Sequence, residues 1–152
     1  MNKALAFVER RGGWALLVMG GISATGFAPL NLWPLTLLGL MLLMHLVARA
    51  DSGRRAFWLG WLFGLGHFTI GNNWIATAFT YQANMPAWLG WLAVPLLALY
   101  LALYPGLAAW GAWRITKILV PTQTSSAGTP FILAFAGCWI IAEWLRSWVF
   151  TG

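Results

Sequence analysis

The sequence predicts an all-α protein, a polytopic membrane bundle of about five transmembrane helices. The chain has 152 residues, of which 61% are hydrophobic and only 8% are charged, whereas a soluble domain averages roughly 25% charged residues. Its twelve tryptophans are typical of proteins that cross the interface between membrane and water. Apolar runs recur along the whole length and are separated by short turns. We therefore expect residues 1–152 to form a single transmembrane domain.

Five apolar runs are expected to form the spans. They cover approximately residues 13–28, 30–48, 56–80, 88–113 and 130–150. The first follows a basic segment that contains Arg10 and Arg11, an arrangement that a cleaved signal peptide shares. We favour a membrane helix because no convincing cleavage site follows and the next segment is again apolar. The second run needs residues 30–33 to reach a span of about 20 residues, which places Pro34 in its first turn, where proline is tolerated.

The third run contains small and polar residues that need a structural explanation. Gly60 and Gly64 form a Gly-x-x-x-Gly pattern, which predicts close helix packing. His67, Asn72 and Asn73 follow it. An amide inside a membrane needs a hydrogen-bond partner or a wet cavity. For Asn72 and Asn73 we favour hydrogen bonds between helices over contact with a substrate.

Prolines and isolated polar residues mark the remaining runs. Pro95 and Pro105 lie inside the fourth run and predict a kink, and Pro130 opens the fifth at a position typical of helix starts. His45 is interpreted as a snorkelling or core histidine. Cys138 is the one cysteine, so it forms no internal disulfide, and its apolar surroundings predict a buried, inert thiol. No metal site and no cofactor are expected.

The basic residues fall on one side of the predicted arrangement. The segments expected in the cytoplasm carry Lys3, Arg10, Arg11, Arg49, Arg54, Arg55, Arg114 and Lys117. The two outer turns carry no lysine or arginine. By the positive-inside rule, the N-terminus is expected in the cytoplasm and the C-terminus on the opposite side. The net charge of +6 does not indicate a nucleic-acid partner, because these residues are scattered among apolar runs rather than gathered into a stripe.

The last run carries one acid and one base within an apolar, tryptophan-rich segment. Glu143 and Arg146 are three residues apart, so on a helix they share a face and can pair. An ionisable residue in hydrocarbon costs roughly 2.5–3.5 kcal/mol unless it is paired or faces protein or water. The two residues are therefore expected to pair or to face a polar cavity.

Four motifs resemble those of the bacterial apolipoprotein N-acyltransferases and occur in the same order. They are Gly26–Pro34, Gly60–Phe68 with Asn73-Trp74-Ile75 behind it, Leu99–Pro105, and Glu143–Gly152. The resemblance implies a multi-pass enzyme of the bacterial inner membrane, with its C-terminal side in the periplasm. Such enzymes move an acyl chain from a phospholipid, through a thioester on a cysteine, to the α-amino group of the diacylglyceryl-cysteine that begins a lipoprotein. Phospholipid and lipoprotein are the implied substrates.

The catalytic residues that this resemblance implies have no counterpart in the chain. In the family a glutamate, a lysine and a cysteine of a nitrilase-like α/β domain carry the reaction, and that domain follows further spans. Cys138 does not replace the nucleophile, because it lies within a span and no lysine or histidine neighbours it. No catalytic residue is assigned. Because the chain stops within the last motif, we expect a truncated product, a split gene or a fragment that is inactive alone.

Under the acyltransferase interpretation, the membrane part anchors the absent domain and forms part of a lipid-facing entrance. The candidate residues that face lipid or substrate are Trp74, Glu143, Trp144, Arg146 and Trp148. Arg146 suits a lipid phosphate because a guanidinium can bind it in a bidentate manner. The structural alternative is an isolated ion pair and an interfacial belt of tryptophans. The alternative function is a non-catalytic membrane protein that binds lipid or a separately encoded partner; a small transporter is disfavoured because no internal repeat is evident.

Overall fold

The computed structural model describes residues 12–81, 86–120 and 128–151. Within them the regular secondary structure is helical, and there is no strand. The helices are α1 (Gly12–Ala24), α2 (Trp33–Ala48), α3 (Gly53–Gly71), α4 (Trp74–Thr80), α5 (Ala87–Leu101), α6 (Leu103–Leu119) and α7 (Gly128–Thr151). The predicted all-α bundle is confirmed. The basic N-terminal segment with Lys3, Arg10 and Arg11 lies outside the described residues, as does Gly152.

Two stretches of the described chain are long and apolar enough to cross a membrane, Trp88–Leu119 and Gly128–Val149. The helices α1 and α2 are apolar but shorter. These lengths agree with a membrane bundle, while the number of spans stays a prediction.

Proline and helix-capping residues set several of the helix boundaries. Pro34 lies in the first turn of α2, and the Ser52 hydroxyl accepts a hydrogen bond from the Arg55 N–H at the start of α3 (3.3 Å). The fourth predicted run is interrupted between α5 and α6 at Ala102. Pro105 explains this interruption, because it has no N–H to donate to the carbonyl four residues earlier. By contrast, α5 continues through Pro95.

The run expected over residues 56–80 is divided into two helices. Helix α3 ends at Gly71, Asn72 caps its C-terminus, and α4 begins at Trp74. Glycine and asparagine are poor helix formers, since glycine loses much backbone freedom and asparagine competes for backbone hydrogen bonds. The Asn72 N–H still donates to the Phe68 carbonyl (3.0 Å). The break turns the chain at the end of the bundle where a cavity of about 850 Å³ lies.

Helix α3 is the centre of the packing and contacts α1, α2, α5 and α6. Glycines allow its closest approaches. A Cβ on Gly20 of α1 would collide with the Phe63 carbonyl oxygen, and one on Gly66 of α3 would collide with the Leu17 carbonyl oxygen. A Cβ on Gly60 would collide with the Pro105 carbonyl oxygen, so the tight packing predicted from Gly60 and Gly64 is confirmed.

The core lies between α1, α2, α3 and α6, and α7 covers only one side of it. Its largest fully buried apolar side chains are Leu16, Leu43 and Val47. Helix α7 packs mainly on α6. Cys138 of α7 is half-buried and packs at the edge of both hydrophobic clusters, in line with a thiol that has a packing role. His45 is half-buried, and its Nε2 atom is buried and has no hydrogen-bond partner among the described residues.

Candidate functional site

A cavity of about 850 Å³ opens at the end of the bundle where α3 meets α4. Its wall is formed by the α1–α2 connection, the first half of α2, the last turns of α3, the first residue of α4, Pro105 of α6 and one face of α7. Its apolar wall includes Phe27, Leu30, Leu40, Phe63, Phe68 and Trp139. Its polar side chains are Thr25, Thr36, His67, Asn72, Glu143 and Arg146. We call this cavity the cleft.

The α1–α2 connection is a compact turn that shapes one side of the cleft. Asn31 has a φ of 53°, a left-handed conformation that asparagine tolerates better than most residues. The Leu32 N–H donates to the Thr25 carbonyl (3.0 Å), and the Thr36 hydroxyl donates to the Ser23 carbonyl (2.7 Å). These bonds close the turn and leave Phe27 and Leu30 exposed at the cleft, with 61% and 59% of their surfaces accessible.

Glu143 and Arg146 form an ion pair on the α7 side of the cleft, as their spacing predicts. Both Nη2 and Nε of Arg146 donate to the same carboxylate oxygen, Oε2 of Glu143, at 2.5 and 3.1 Å. The side chains keep 31% (Arg146) and 36% (Glu143) of their surface accessible. The guanidinium carbon of Arg146 also lies 5.7 Å from the centre of the Phe68 ring. A charged group that is half-buried beside an aromatic face is held in position while it remains within reach of a ligand.

His67 lies on the α3 side of the cleft, and its hydrogen bonds define its tautomer. The Ser23 hydroxyl donates its single proton to the Gly20 carbonyl (2.6 Å). The contact of 2.8 Å between Ser23 Oγ and His67 Nδ1 is therefore donated by Nδ1–H. In the neutral ring this leaves Nε2 as a hydrogen-bond acceptor. Phe63 stacks on the imidazole, with ring centres 6.2 Å apart, and Phe27 meets its edge at 5.7 Å.

The cleft brings together only some of the residues that the sequence marks as candidates. Glu143 and Arg146 lie in its wall, and Trp74, which is 67% exposed, stands at its rim. Trp144 and Trp148 belong to another face of α7. They stack on each other with ring centres 6.4 Å apart and are 64% and 66% exposed, and neither contributes to the wall of the cleft.

The expectation of interhelical hydrogen bonds from Asn72 and Asn73 is not met among the described residues. Asn72 is half-buried in the wall of the cleft, and Asn73 is exposed. Their hydrogen bonds within this part of the chain run through the backbone. The reason is the break between α3 and α4, which places both amides at a helix end rather than inside a packed helix.

The contact between Ser23 and His67 could not be predicted from sequence patterns. The two residues are 44 positions apart, and they meet because Gly20 and Gly66 allow α1 and α3 to cross closely. Among the described residues, no group of three or more His, Cys, Asp or Glu side chains could hold a metal ion. The polar groups of the cleft are the Glu143–Arg146 ion pair, the His67 imidazole, and the side chains of Thr25, Thr36 and Asn72.

Comparison with known proteins identifies the family. The sequence profile of the apolipoprotein N-acyltransferase N-terminal domain matches residues 19–152, which includes every element of the cleft. The chain belongs to the apolipoprotein N-acyltransferase family. The resemblance drawn from its four motifs is confirmed, and membership of this family makes it a bacterial membrane protein.

Several apolipoprotein N-acyltransferases align with most of the chain. The enzyme of Chromobacterium violaceum is 41% identical over 138 residues, which are 91% of this chain and 25% of that protein. The enzyme of Ralstonia nicotianae is 38% identical over 135 residues, 89% of this chain and 25% of the relative. For Vibrio cholerae the values are 35% over 141 residues, 91% and 26%. The chain thus spans about a quarter of the length of these apolipoprotein N-acyltransferases.

Proposed function

We propose that this chain forms the membrane portion of an apolipoprotein N-acyltransferase and that its cleft receives the phospholipid that donates the acyl chain. The observation that carries the proposal is the half-buried ion pair of Glu143 and Arg146 in the wall of an otherwise largely apolar cavity of about 850 Å³. A phospholipid likewise combines a charged phosphate with apolar chains, so each part of it has a matching part of the cavity wall. A cavity of this size matches those that hold small ligands.

The groups of the cleft have complementary roles in this proposal. Arg146 binds the lipid phosphate, because the guanidinium forms charge-assisted and bidentate hydrogen bonds with phosphate oxygens. Glu143 holds the guanidinium in place before the lipid arrives and balances its charge. His67, fixed by Ser23, offers Nε2 as an acceptor for an N–H or O–H of the headgroup. Phe27, Phe63 and the neighbouring apolar residues contact the acyl chain.

We propose that the acyl transfer itself is carried out by groups outside residues 1–152. Ser23 is fully buried and donates its proton to the Gly20 carbonyl, so it is not poised as a nucleophile. Cys138 is half-buried at the α6–α7 packing and does not line the cleft. We expect the isolated chain to bind phospholipid without transferring its acyl group to an amine. Trp144 and Trp148 lie outside the cleft and are proposed to contact bilayer lipid.

The orientation in the inner membrane is proposed from the distribution of charge. Among the described residues, the end that carries the α2–α3 connection has five basic side chains and one acidic one, while the cleft end carries only the Glu143–Arg146 pair. The positive-inside rule then favours a cytoplasmic basic end and a periplasmic cleft. A reporter fused after Gly152 is expected to be active in the periplasm. Activity in the cytoplasm would contradict this orientation.

Photo-crosslinking tests the lipid assignment. The purified chain is reconstituted in nanodiscs with a phosphatidylethanolamine that carries a diazirine near the glycerol, and the labelled peptides are mapped by mass spectrometry. We expect labels on residues 24–30 and 63–74, and a loss of about tenfold in these labels for Arg146→Leu, the size of losing charge-assisted hydrogen bonds. Labels on the outer face of α7 serve as the internal control and stay unchanged.

Arg114→Leu is the matched variant, because it removes a basic side chain from the opposite end of the bundle. It is expected to keep the cleft labels. Uniform labelling around the bundle, or equal losses in both variants, would contradict lipid binding in the cleft. Transfer of an acyl group to a diacylglyceryl-cysteine peptide by the chain alone would contradict the assignment of the chemistry to another part of the enzyme.

A further inference from the structure

A second, smaller cavity of about 230 Å³ lies at the other end of α2 and α3 from the cleft. Its lining residues are Gly12, Leu46, Arg49, Asp51, Arg55 and Leu59. None of them belongs to the cleft. The start of α1, the end of α2, the α2–α3 connection and the first turns of α3 converge there. The acyltransferase proposal gives this basic cavity no role.

The inner part of this cavity is apolar and well packed. Leu46 and Leu59 are each 6% exposed and belong to the hydrophobic core. An ideal Cβ on Gly12 would lie 3.3 Å from a Leu46 methyl and 3.8 Å from a Leu59 methyl. Gly12 therefore packs directly against the two leucines, and a side chain at this position would narrow the cavity. A ligand seated here would contact hydrocarbon on one side and the arginines on the other.

The outer part of the cavity is cationic, and Asp51, the acidic residue among its described lining residues, is weakly held. A terminal nitrogen of Arg55 donates to Asp51 at 2.5 Å, but the side chains are 50% and 79% exposed. An exposed ion pair of this kind is weak because water screens it. A phosphate offers more oxygen acceptors than the Asp51 carboxylate and matches the fork of a guanidinium. An incoming phosphate can therefore replace Asp51 on Arg55. Arg49 already has a partner of its own, but a guanidinium carries five N–H donors, so it can offer a further one to the phosphate.

The surrounding surface favours an anionic ligand over a zwitterionic one. The basic side chains at this end of the described structure are Arg49, Arg54, Arg55, Arg114 and Lys117. The indole N–H of Trp113 donates to the Ala50 carbonyl (2.8 Å) and so joins the α2–α3 connection to α6. Lys117 lies 5.9 Å from the centre of the Trp113 ring. Basic cavities between membrane helices, with excess positive charge around them, attract anionic headgroups.

We propose that this cavity binds the phosphate group of an anionic phospholipid. The phosphate lies between Arg49 and Arg55, and the glycerol end of the lipid passes over Leu46 and Leu59 toward the bilayer. Inorganic phosphate shares the charged part of this chemistry but has nothing to place on the two leucines. The site is thus separate from the cleft in both position and preferred charge. It does not depend on the acyltransferase proposal.

Lipid retention in native mass spectrometry tests the site. The whole chain is purified in detergent, and the binding of phosphatidylglycerol is titrated against that of phosphatidylethanolamine. The double variant Arg49→Gln/Arg55→Gln is compared with Arg114→Gln/Lys117→Gln, which removes the same two charges from the same end outside the cavity. The first is expected to weaken phosphatidylglycerol binding by about tenfold, as for lost charge-assisted hydrogen bonds. The second is expected to change it by less than about twofold. Equal losses would mean attraction by the general field and would overturn the site.

Two further measurements test the site without relying on the arginine variants. Asp51→Asn removes the competing carboxylate and is expected to tighten phosphatidylglycerol binding by about threefold, a modest gain because the pair is exposed. This variant decides the matter if the arginine variant does not fold, and unchanged or weaker binding would overturn the proposal. Inorganic phosphate is the last probe. At the lipid's own concentration it is expected to leave the bound lipid in place, and displacement would assign the cavity to free phosphate instead.

Discussion

Ser23 Oγ lies 2.8 Å from Nδ1 of His67, at the point where α1 and α3 come closest. Ser23 is fully buried, so the contact is protected from water on one side while the ring faces the cleft on the other. The position of the imidazole in the cleft is therefore set by a helix crossing. Any change in that crossing moves the ring.

The crossing of α1 and α3 is predicted to be intolerant of added side chains. Gly20→Ala and Gly66→Ala each place a methyl group against a backbone carbonyl oxygen, of Phe63 and Leu17 respectively, and a backbone cannot rotate away as a side chain can. We expect each to lower the free energy of unfolding by about 1–3 kcal/mol, the cost of overpacking. Unfolding by sodium dodecyl sulfate in mixed micelles, followed by circular dichroism, measures this.

Gly137→Ala is the matched control for this prediction. A Cβ at Gly137 meets no atom within 4 Å, and alanine is the better helix former by about 0.8–1.0 kcal/mol. It is therefore expected to leave the stability unchanged or to raise it. If the three variants lose similar amounts of stability, the close approach of α1 and α3 is not what these glycines provide.

The tautomer of His67 is a second prediction, because it follows from a chain of two hydrogen bonds. The Ser23 hydroxyl gives its proton to Gly20, so Nδ1 of His67 carries the proton of the next bond. Nitrogen-15 NMR of the neutral ring is expected to show a protonated Nδ1 and an unprotonated Nε2. In Ser23→Ala the acceptor is lost, and the Nδ1–H signal is expected to broaden or to give way to the other tautomer. A neutral ring with its proton on Nε2 in the unaltered chain would contradict the acceptor role of Nε2 in the cleft.

Local spacing along the sequence was sufficient for the features that depend on one helix. The pairing of Glu143 and Arg146 follows from a separation of three residues, and the Gly60-x-x-x-Gly64 packing follows from a single helix face. The interruption near Pro105 follows from a missing N–H. Each of these depends on geometry that repeats in every α-helix, so a sequence pattern can specify it.

Sequence patterns could not predict the features that depend on how two helices cross. The contact between Ser23 and His67 joins residues 44 positions apart, and it requires the approach of Gly20 and Gly66, which no spacing within one helix specifies. The break at Asn72 was missed for a different reason. The apolar run continues through it into Trp74, and hydropathy does not register that Gly71 and Asn72 are poor helix formers. Trp74 and Trp144 are equally apolar in sequence, yet one lines the cleft and the other does not.

The ion pair of Glu143 and Arg146 gives the third prediction. Glu143→Ala removes the carboxylate that accepts from the guanidinium in the described part of the chain. It leaves Arg146, with 31% of its side chain accessible, next to the Phe68 ring. We expect a loss of about 1–2 kcal/mol in the free energy of unfolding, between the values for exposed and buried pairs. The double variant Glu143→Ala/Arg146→Leu removes the stranded charge as well and is expected to recover most of this loss. The same unfolding assay in mixed micelles measures both.

The exposed pair of Asp51 and Arg55 supplies the control cycle for this prediction. These side chains are 79% and 50% exposed, so water solvates Arg55 when Asp51 is removed. Asp51→Ala and Asp51→Ala/Arg55→Leu are therefore expected to differ by less than about 0.5 kcal/mol. If the double variant recovers stability only for Glu143 and Arg146, the cleft holds its charged groups partly away from water. Under that condition Arg146 gains most from binding a lipid phosphate. The same small difference in both cycles would mean that the cleft is fully hydrated, and Arg146 would then have no advantage over Arg55 as a phosphate ligand.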